Sequence, residues 1–354
     1  MTFYQADTLK NYIKSILVSQ RVKAEDAEIV ADSLVRADLE GISSHGISRL
    51  PIYSKRMEES RINPAPSIKI EKSGLSTLLV DGDHGLGQVV AYTGLKEGIK
   101  TAKETGIAAV ALRNSNHFGC ASYYCQMACD EGLASIIMTN SPSGIPPWGG
   151  KKAFFGTNPV GFGFPVKDLP NVIIDMSASV VARGKIIEAA KEGQSIPKGW
   201  AIDQNGLDTE DPTAAINGAI LPSGGVKGYG WALAIEILTG ILSGASYGPH
   251  VQNIYYDHHQ HSNIGHFFIL IDIEKFMPYE YFTSLVKNML IELKEVPKKV
   301  DTDTIFYPGE RREKSYQKQL SSGINLSSEV VKDLSLLARR FHIENPFEKG
   351  KCDV

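Results

Sequence analysis

The stretch GQVVAYTGLKEGIKTAKETGIAAVALRNSNHFG, residues 87–119, contains a helix followed by a strand, the alternation that indicates the fold. Its first part has the apolar spacing of a helix, and the run GIAAVAL that comes next is typical of a buried strand. The strand ends in polar residues, and His117 stands there before another helical pattern. Open α/β sheets bind ligands at the carboxyl ends of their strands, so we expect His117 to be catalytic. The alternative is a core histidine held by one hydrogen bond.

Strands and helices alternate between residues 75 and 311, which predicts an α/β sheet domain. Strands are predicted in STLLVDGD, GIAAVALRN, LASIIMTNS, NVIIDMS and GHFFILIDIEKF. Helices are predicted in GQVVAYTGLKEGIKTAKET, GWALAIEILTGILSG and PYEYFTSLVKNMLIELKEV. No internal repeat or low-complexity linker divides this region, so we treat it as one domain.

Helices are predicted to fill residues 1–74, and a helical tail at 312–354 is predicted to return and join them. Gly41 can end the second helix. Because proline is tolerated only in the first turn of a helix, Pro51 requires the third helix to begin near Ser48. The apolar face of the first helix consists of Leu9, Tyr12, Ile13, Ile16 and Leu17. The two ends of the chain are thus predicted to form a helical domain beside the α/β domain.

The composition is ordinary for a soluble globular protein, with 354 residues of which 42% are hydrophobic and 22% charged. The net charge of -3 gives no electrostatic reason to expect a nucleic acid or an anionic membrane as partner. No apolar run reaches the ~18 residues that a membrane span needs. The start, MTFYQADTLKNYIK, lacks the pattern of a secretion signal, so a cytoplasmic location is expected.

Two clusters of potential metal ligands do not favour a metal site. The spacing between the first three cysteines is not that of a common zinc site, and buried free thiols are predicted instead. The four cysteines are Cys120, Cys125, Cys129 and Cys352. The second cluster, YYDHHQHSNIGH, is predicted to be a solvated loop rather than a transition-metal site. It contains Asp257, His258, His259, His261 and His266.

The glycine-rich turns do not contain the G-x-G-x-x-G fingerprint of a standard Rossmann dinucleotide site. GDHGLGQVVA has Val90 where the third glycine belongs, and KGYGWAL lacks that glycine as well. GFGFPV has a proline in its interior. Any dinucleotide site in this chain must therefore be built in another way.

The turn GISSHGISRLP combines groups that suit a 2-oxo or 2-hydroxy acid. The planar fork of Arg49 fits a carboxylate in a two-point contact, and His45 can deliver a proton near neutral pH. Ser44 lies in the same turn and is grouped with them as a candidate. The alternative is a helix-capping loop with exposed polar side chains.

Lys227 stands in the glycine-rich turn GGVKGYG just before a predicted helix. Backbone N–H groups at a helix start, together with a lysine, favour phosphate. An ordinary exposed lysine is the alternative.

Several motifs in order along nearly the whole chain resemble one known family. They are SSHGISRLP, NSNHFG, GGKKAFFGTNPVGF, DMSASVVARGKI, SIPKGWAIDQNG, KGYGWALAIEILTGILSGA and FYPGE. The chain resembles the malate/L-lactate dehydrogenase family, which includes ureidoglycolate dehydrogenase, sulfolactate dehydrogenase and diketogulonate reductase. The resemblance implies a nicotinamide-dependent oxidoreductase of non-Rossmann fold. Its cofactor would lie on a mixed α/β sheet, which accounts for the missing fingerprint.

The resemblance also assigns expected roles to individual residues. His45, Arg49 and His117 are expected to line the substrate site, with either histidine as the proton donor. The residues expected at the cofactor are Ser141, Thr157, Asn158, Asp175, Met176, Ser177, Ala178, Ser179, Val180, Val181, Lys227, Gly228, Gly309 and Glu310. A homodimer with its active site near the subunit interface is also implied.

The expected reaction moves a hydride between the nicotinamide and C2 of a small 2-oxo or 2-hydroxy acid. The substrate stays open among malate, lactate, ureidoglycolate, sulfolactate and sugar acids, because PPWGG at 146–150 resembles the diketogulonate reductase branch while VVARGKI resembles the malate/lactate type. NAD is favoured over NADP because no arginine is identifiable as a partner for a 2′-phosphate. A binding protein that has lost its chemistry is the alternative to an enzyme. The complete set His45, Arg49, His117 and Lys227 favours the enzyme.

Overall fold

The computed structural model describes residues 2–254 and 260–348 of the chain. Its α-helices are α1 (Ala6–Ser19), α2 (Ala24–Leu39), α3 (Leu50–Glu58), α4 (Gly87–Thr105), α5 (Ala121–Asp130), α6 (Arg183–Glu192), α7 (Pro212–Asn217), α8 (Val226–Glu236), α9 (Tyr279–Glu295), α10 (Glu310–Ser322) and α11 (Ser328–Arg340). Its strands are β1 (Phe3–Tyr4), β2 (Lys69–Lys72), β3 (Thr77–Asp81), β4 (Ile107–Ser115), β5 (Leu133–Thr139), β6 (Val160–Phe164), β7 (Val172–Met176), β8 (Ala201–Ile202), β9 (Asp208–Thr209), β10 (Ala219–Ile220), β11 (Ile264–Asp272) and β12 (Ile324–Asn325).

The central sheet has the strand order β2-β3-β4-β11-β5-β6-β7. Only β3 and β4 pair in parallel, and the other neighbours in this sheet are antiparallel. The late strand β11 lies between β4 and β5, and its Phe268 and Leu270 are fully buried. The predicted mixed α/β fold of non-Rossmann type is therefore confirmed.

Helices α4 and α5 cover one face of this sheet, and small residues let them approach it closely. A Cβ atom on Gly98 of α4 would lie 2.7 Å from the Leu270 side chain. A Cβ on Gly161 of β6 would lie 2.9 Å from the Cys125 sulfur on α5. The segment GFGF, which the sequence analysis treated as a glycine-rich turn, is thus part of strand β6, and its glycines make room for a helix.

The two ends of the chain share one helical core. The five residues predicted for the apolar face of α1 are all buried, and they cluster with Leu334 and Leu337 of α11. Gln319 on α10 donates from Nε2 to the Asp38 carbonyl at 2.8 Å, which ties α10 to the end of α2. The domain boundaries after residues 74 and 311 stay predictions.

The third helix begins slightly later than predicted. A 3₁₀ turn, Ile47–Arg49, occupies the expected start at Ser48, and α3 follows with Pro51 in its first turn. Strand β2, the small sheet β10-β8-β9 and helix α6 were not predicted from the sequence. The two-residue strands are too short to produce a periodic pattern.

The thiols of Cys120, Cys125 and Cys129 are buried and free, as predicted, while Cys352 lies outside the described residues. The prediction of a solvated loop over YYDHHQHSNIGH is wrong at its end, because His266 is fully buried in β11. Its two ring nitrogens lie 2.7 Å from Thr139 Oγ1 and 2.8 Å from Ser115 Oγ. Residues 255–259, with Asp257, His258 and His259, lie outside the described ranges.

Candidate active site

A cavity of about 380 Å³ opens where β4 and β5 end and β11 begins. Three sequence-distant parts of the chain form it: the turn before α3, the ends of these strands, and helix α6. Its lining includes His45, Arg49, His117, Thr139, Asn140, Ser141, Thr157, Ser177, Arg183, Ile187, Ile216 and Ile264. The cavity thus brings together the predicted substrate residues and three of the predicted cofactor residues.

His117 lies in the connection between β4 and α5, two residues beyond the strand. Its Nδ1 atom lies 2.7 Å from the hydroxyl oxygen of Tyr53, which is buried on α3. Gln88 of α4 donates from Nε2 to the same hydroxyl at 3.2 Å. With Nδ1 engaged, the Nε2 atom of His117 is the ring nitrogen left for a ligand in the cavity.

His45 and Arg49 are held by a compact turn that packs on the end of α2. The buried Asp38 carboxylate accepts a hydrogen bond of 2.7 Å from the backbone N–H of Ile47. A side chain at Gly46 would collide with that carboxylate, since its Cβ would lie 2.0 Å from Asp38 Oδ1. The glycine and the aspartate therefore fix the turn that carries both functional side chains.

Within this turn the functional groups are hydrogen-bonded to one another. Ser44 Oγ lies 3.0 Å from His45 Nδ1, and Arg49 donates from Nε to the Ser44 carbonyl at 2.5 Å. Ser44 is exposed and does not line the cavity, so the structure places it behind His45. The ring centroids of His45 and His117 are 5.4 Å apart, which puts both imidazoles beside one ligand position.

Burial, together with the basic groups of the cavity, disfavours protonation of its imidazoles. Burial and then the charge of Arg49 lower the pKa of His45 to about 4. Burial, followed by His45 and Arg49, holds the pKa of His117 well below 6.5. Both imidazoles are therefore neutral at neutral pH.

Ser141 and Thr157 meet at the opposite side of the cavity, where their hydroxyl oxygens are 3.3 Å apart. Asn158 does not reach the cavity. Its Nδ2 donates to the buried Glu236 carboxylate at 2.7 Å, and its Oδ1 accepts from the backbone N–H of Ser141 at 3.3 Å. Asn140 also donates to Glu236, at 3.2 Å. A buried carboxylate thus positions the two hydroxyl residues through two asparagines.

The segment 175–181 leads away from this hydroxyl pair along the edge of the sheet. Ser177 lines the cavity, and Asp175 accepts a hydrogen bond of 3.0 Å from the backbone N–H of Ser122 at the start of α5. Arg312 of α10 lies 3.5 Å from the same carboxylate. Met176 and Val180 are exposed, whereas Ala178, Ser179 and Val181 are buried.

The remaining predicted cofactor residues flank this segment without reaching the cavity. The backbone N–H of Ser223 donates to the Ala178 carbonyl at 2.8 Å, which brings the Lys227 turn beside it. Lys227 is exposed, and a Cβ on Gly228 would lie 2.3 Å from the Ser223 carbonyl oxygen. Gly309 precedes α10, and the buried Glu310 pairs with Lys294 at 2.5 Å.

Sequence reasoning missed the residues that hold these groups in place. Tyr53, Gln88, Asp38 and Glu236 are buried polar side chains on helices whose patterns indicate only an apolar face. A buried polar residue needs a partner, but the sequence gives no sign of which one. Arg183, which lines the cavity from α6, was missed because that helix was not predicted.

Residues 4–335, which include every side chain that lines the cavity, match the profile of a family described as malate/L-lactate dehydrogenase. The chain belongs to the malate/L-lactate dehydrogenase family. The family resemblance inferred from the motifs is therefore confirmed.

Individual relatives cover almost the whole chain. It is 41% identical to the malate dehydrogenase of Pyrococcus horikoshii over 96% of this chain and 95% of that protein. It is 33% identical to the ureidoglycolate dehydrogenase (NAD(+)) of Escherichia coli K12 over 96% and 98% of the two chains. The structure of the sulfolactate dehydrogenase of Methanocaldococcus jannaschii superposes with a TM-score of 0.91 at 38% identity, covering 98% of this chain and 99% of that one.

These relatives confirm the predicted class of protein, an oxidoreductase of the 2-hydroxy acid dehydrogenase type with a nicotinamide cofactor. They differ in the acid that their names specify, so the substrate of this chain does not follow from them. Over residues 2–254 and 260–348, the helices are all too short or too polar to cross a membrane.

Proposed function

We propose that the protein interconverts a small 2-hydroxy acid and the corresponding 2-oxo acid in the 380 Å³ cavity, with a nicotinamide dinucleotide as hydride carrier. One observation carries this proposal: a guanidinium, two adjacent imidazoles and a pair of hydroxyls line one cavity at the ends of the sheet strands. This set can hold a carboxylate, move a proton and orient a carboxamide, which are the three tasks that the reaction requires.

Arg49 holds the C1 carboxylate of the acid. Its guanidinium can donate two parallel hydrogen bonds to that carboxylate. The hydrogen bond from Nε to the Ser44 carbonyl fixes the plane of the guanidinium. The C2 oxygen then lies between His45 and His117, whose rings are 5.4 Å apart. The clamp therefore determines which carbon of the acid is presented for reaction.

His117 moves the proton at the C2 oxygen. In oxidation its neutral Nε2 accepts the hydroxyl proton, while the contact between Nδ1 and Tyr53 holds the ring orientation. In reduction the protonated ring returns the proton. Burial is the main cause of the lowered pKa of His117, and a carboxylate bound to Arg49 would offset the smaller part that comes from the guanidinium charge. His45 contacts the acid from the other side.

The residues around Ser141 fit a nicotinamide. The Ser141 and Thr157 hydroxyls can each donate to and accept from a carboxamide, and Glu236 holds both in place through asparagines. When bound, the cofactor supplies or accepts the hydride at C2. Its dinucleotide portion would follow the segment 175–181 toward Gly309 and Glu310, with the exposed Lys227 beside it as a phosphate partner.

We favour NAD over NADP as the cofactor. Asp175 and Glu310 place carboxylates along the proposed dinucleotide path, and a carboxylate suits ribose hydroxyls better than a 2′-phosphate. NADP remains the alternative, to be distinguished by comparing the Kd of NADH and NADPH.

We also propose a cytoplasmic homodimer. Helix α8 and the π-helical turn that follows it expose a continuous apolar face, in which Trp231, Ile241 and Leu242 are 51%, 55% and 58% accessible. Side chains this large and apolar are typical of a protein interface, and a second copy of the chain would cover them. The buried free thiols fit a reducing compartment.

The test of the proposed function is NADH oxidation with a panel of 2-oxo acids, run together with NAD reduction by the matching 2-hydroxy acids. At least one acid should turn over in both directions. Binding of NADH without turnover of any acid would instead favour a relative that has lost its chemistry.

A further inference from the structure

A second, larger concavity of about 600 Å³ adjoins the catalytic cavity. The two share a wall that includes Pro142, Gly144, Arg183, Ile216 and Asn253. The larger concavity is also lined by Lys151 and Lys152. No aspartate or glutamate of the described residues lines either space, although the chain as a whole has a net charge of -3. The positive charge is therefore local to this wall.

Arg183 is the charged group common to both spaces. It is half-buried at the first residue of α6, and no carboxylate in ranges 2–254 and 260–348 pairs with it. The helix is anchored beneath it by Ile186, which is 1% exposed and packs with Val181 and Ile196. The guanidinium is thus held in the wall of the cavity without an acidic partner among these residues.

The two guanidinium groups of the catalytic cavity have different surroundings. Arg49 lies beside the imidazoles, where the C1 carboxylate of a 2-hydroxy acid must sit for reaction at C2. Arg183 is the first residue of α6 and lines the same cavity from a separate part of the chain. A substrate with a single negative charge would leave Arg183 uncompensated, and a partly buried guanidinium is most stable with an anionic partner.

We propose that Arg183 binds a second anionic group on the substrate, so that this enzyme prefers 2-hydroxy acids with a carboxylate or sulfonate on their C3 side. The proposal rests on the proposed function, which places C1 at Arg49. Lys151 and Lys152 add to the attraction from the adjoining concavity, which is open enough to admit side chains of different length. The substrate class is then determined by a residue that takes no part in the proton transfer.

The experiment compares oxaloacetate, which has two carboxylates, with pyruvate, which has one. Arg183→Gln should lower kcat/KM for oxaloacetate by ~10–100-fold, the worth of a charge-assisted hydrogen bond, and should change kcat/KM for pyruvate by less than ~3-fold. Arg183→Lys should retain part of the preference for oxaloacetate over pyruvate that Arg183→Gln loses. Lys185→Gln is the matched control, because Lys185 is exposed on the same helix and lines neither space.

Three outcomes would overturn the proposal. Equal losses for both acids would mean that Arg183 shapes the cavity without selecting charge. An unchanged preference with a raised Kd for NADH or NADPH would assign Arg183 to a dinucleotide phosphate. The same loss of kcat/KM for oxaloacetate in Lys185→Gln would show that the effect comes from the overall charge of α6 and not from Arg183 itself.

The design also separates this proposal from the proposed function. If the wild-type enzyme reduces no 2-oxo acid, the proposed activity fails. Calorimetric binding of hydroxymalonate and lactate to the NADH complex then still tests Arg183. The proposal is supported if the wild-type complex binds hydroxymalonate more tightly than lactate and Arg183→Gln abolishes this difference. Equal Kd values of the two acids for the wild-type complex contradict it.

Discussion

The catalytic cavity has two walls of opposite character. The inner wall, formed by His45, Arg49 and His117, rests on buried polar groups that are hydrogen-bonded to it, such as Tyr53 and Asp38. The outer wall consists of Arg183, Gly184, Ile187 and Ile216 on α6 and α7. Ile187 is 40% exposed, and Gly184 has no atom within contact distance of an added Cβ. Proton transfer requires side chains in fixed positions, which the inner wall provides. Selection among acids requires side chains that can differ, which the loosely packed outer wall allows.

Changes in the inner wall should therefore reduce turnover of all acids, and changes in the outer wall should affect some acids only. The largest effect is expected from His117→Ala. Loss of a positioned proton donor should lower kcat by ~10²–10⁴-fold for oxaloacetate and pyruvate alike. Steady-state kinetics with both acids measure it, and Kd for NADH should stay near the wild-type value.

An unfolded variant would mimic this loss, so its melting temperature has to be compared with that of the wild type. A lowered melting temperature with normal kcat in the folded fraction would show that His117 is structural. A loss of kcat for only one of the two acids would mean that His117 selects among substrates, which would contradict the distinction between the two walls.

Arg49→Lys should have the next largest effect. A lysine keeps the charge but cannot reproduce the two-point fork, so KM should rise by ~10–100-fold for oxaloacetate and pyruvate together. The measurement is KM for both acids at saturating NADH. An unchanged KM would exclude Arg49 as the carboxylate clamp, and a rise for oxaloacetate alone would give it the role that we assign to Arg183.

Asp38→Asn should have a smaller effect, seen in stability. Burial raises the pKa of Asp38 to about 7 from an ordinary 3.8, so the folded protein retains a proton that the unfolded chain has lost between these values. The stability contribution of Asp38 is therefore full below pH ~4 and declines as pH rises toward ~7. Asparagine can still accept from the Ile47 N–H, so the variant should gain in free energy of unfolding relative to wild type across this range.

Urea denaturation of both proteins between pH 4 and 8 measures this difference. It should grow with pH and level off above about 7. A difference that does not change with pH would mean that Asp38 ionises normally in the folded state, and that the turn carrying His45 is held by a charged group.

The contrast between the walls also explains how much the sequence could predict. The inner-wall residues stand in local motifs at the end of a periodic strand and in a turn before a helix, so the chemistry of the side chains pointed to them. Tyr53 and Glu236 support the site from the interior of helices, where periodicity indicates burial but not partners. Arg183 lies on α6, whose single fully buried apolar residue, Ile186, gives almost no periodic signal.

The placement of β11 was beyond sequence reasoning for a different reason. The strand was predicted, but its position between β4 and β5 depends on pairing across more than a hundred residues. That pairing creates the sheet edge where Ile264 and Thr139 meet His117. Local patterns specify the elements, and the non-local pairing assembles the site.

The most direct test of the account is the pH dependence of kcat/KM for oxidation of the hydroxy acid by wild type, His117→Gln and His45→Gln. The base must be neutral in this direction, and the pKa of His117 lies below 6.5. The wild-type profile should therefore be flat near pH 7 and fall on the acid side below 6.5. His117→Gln should lose this acid limb together with most of the activity, and His45→Gln should retain it. An acid limb that persists in His117→Gln and disappears in His45→Gln would contradict the account and make His45 the proton-transfer group.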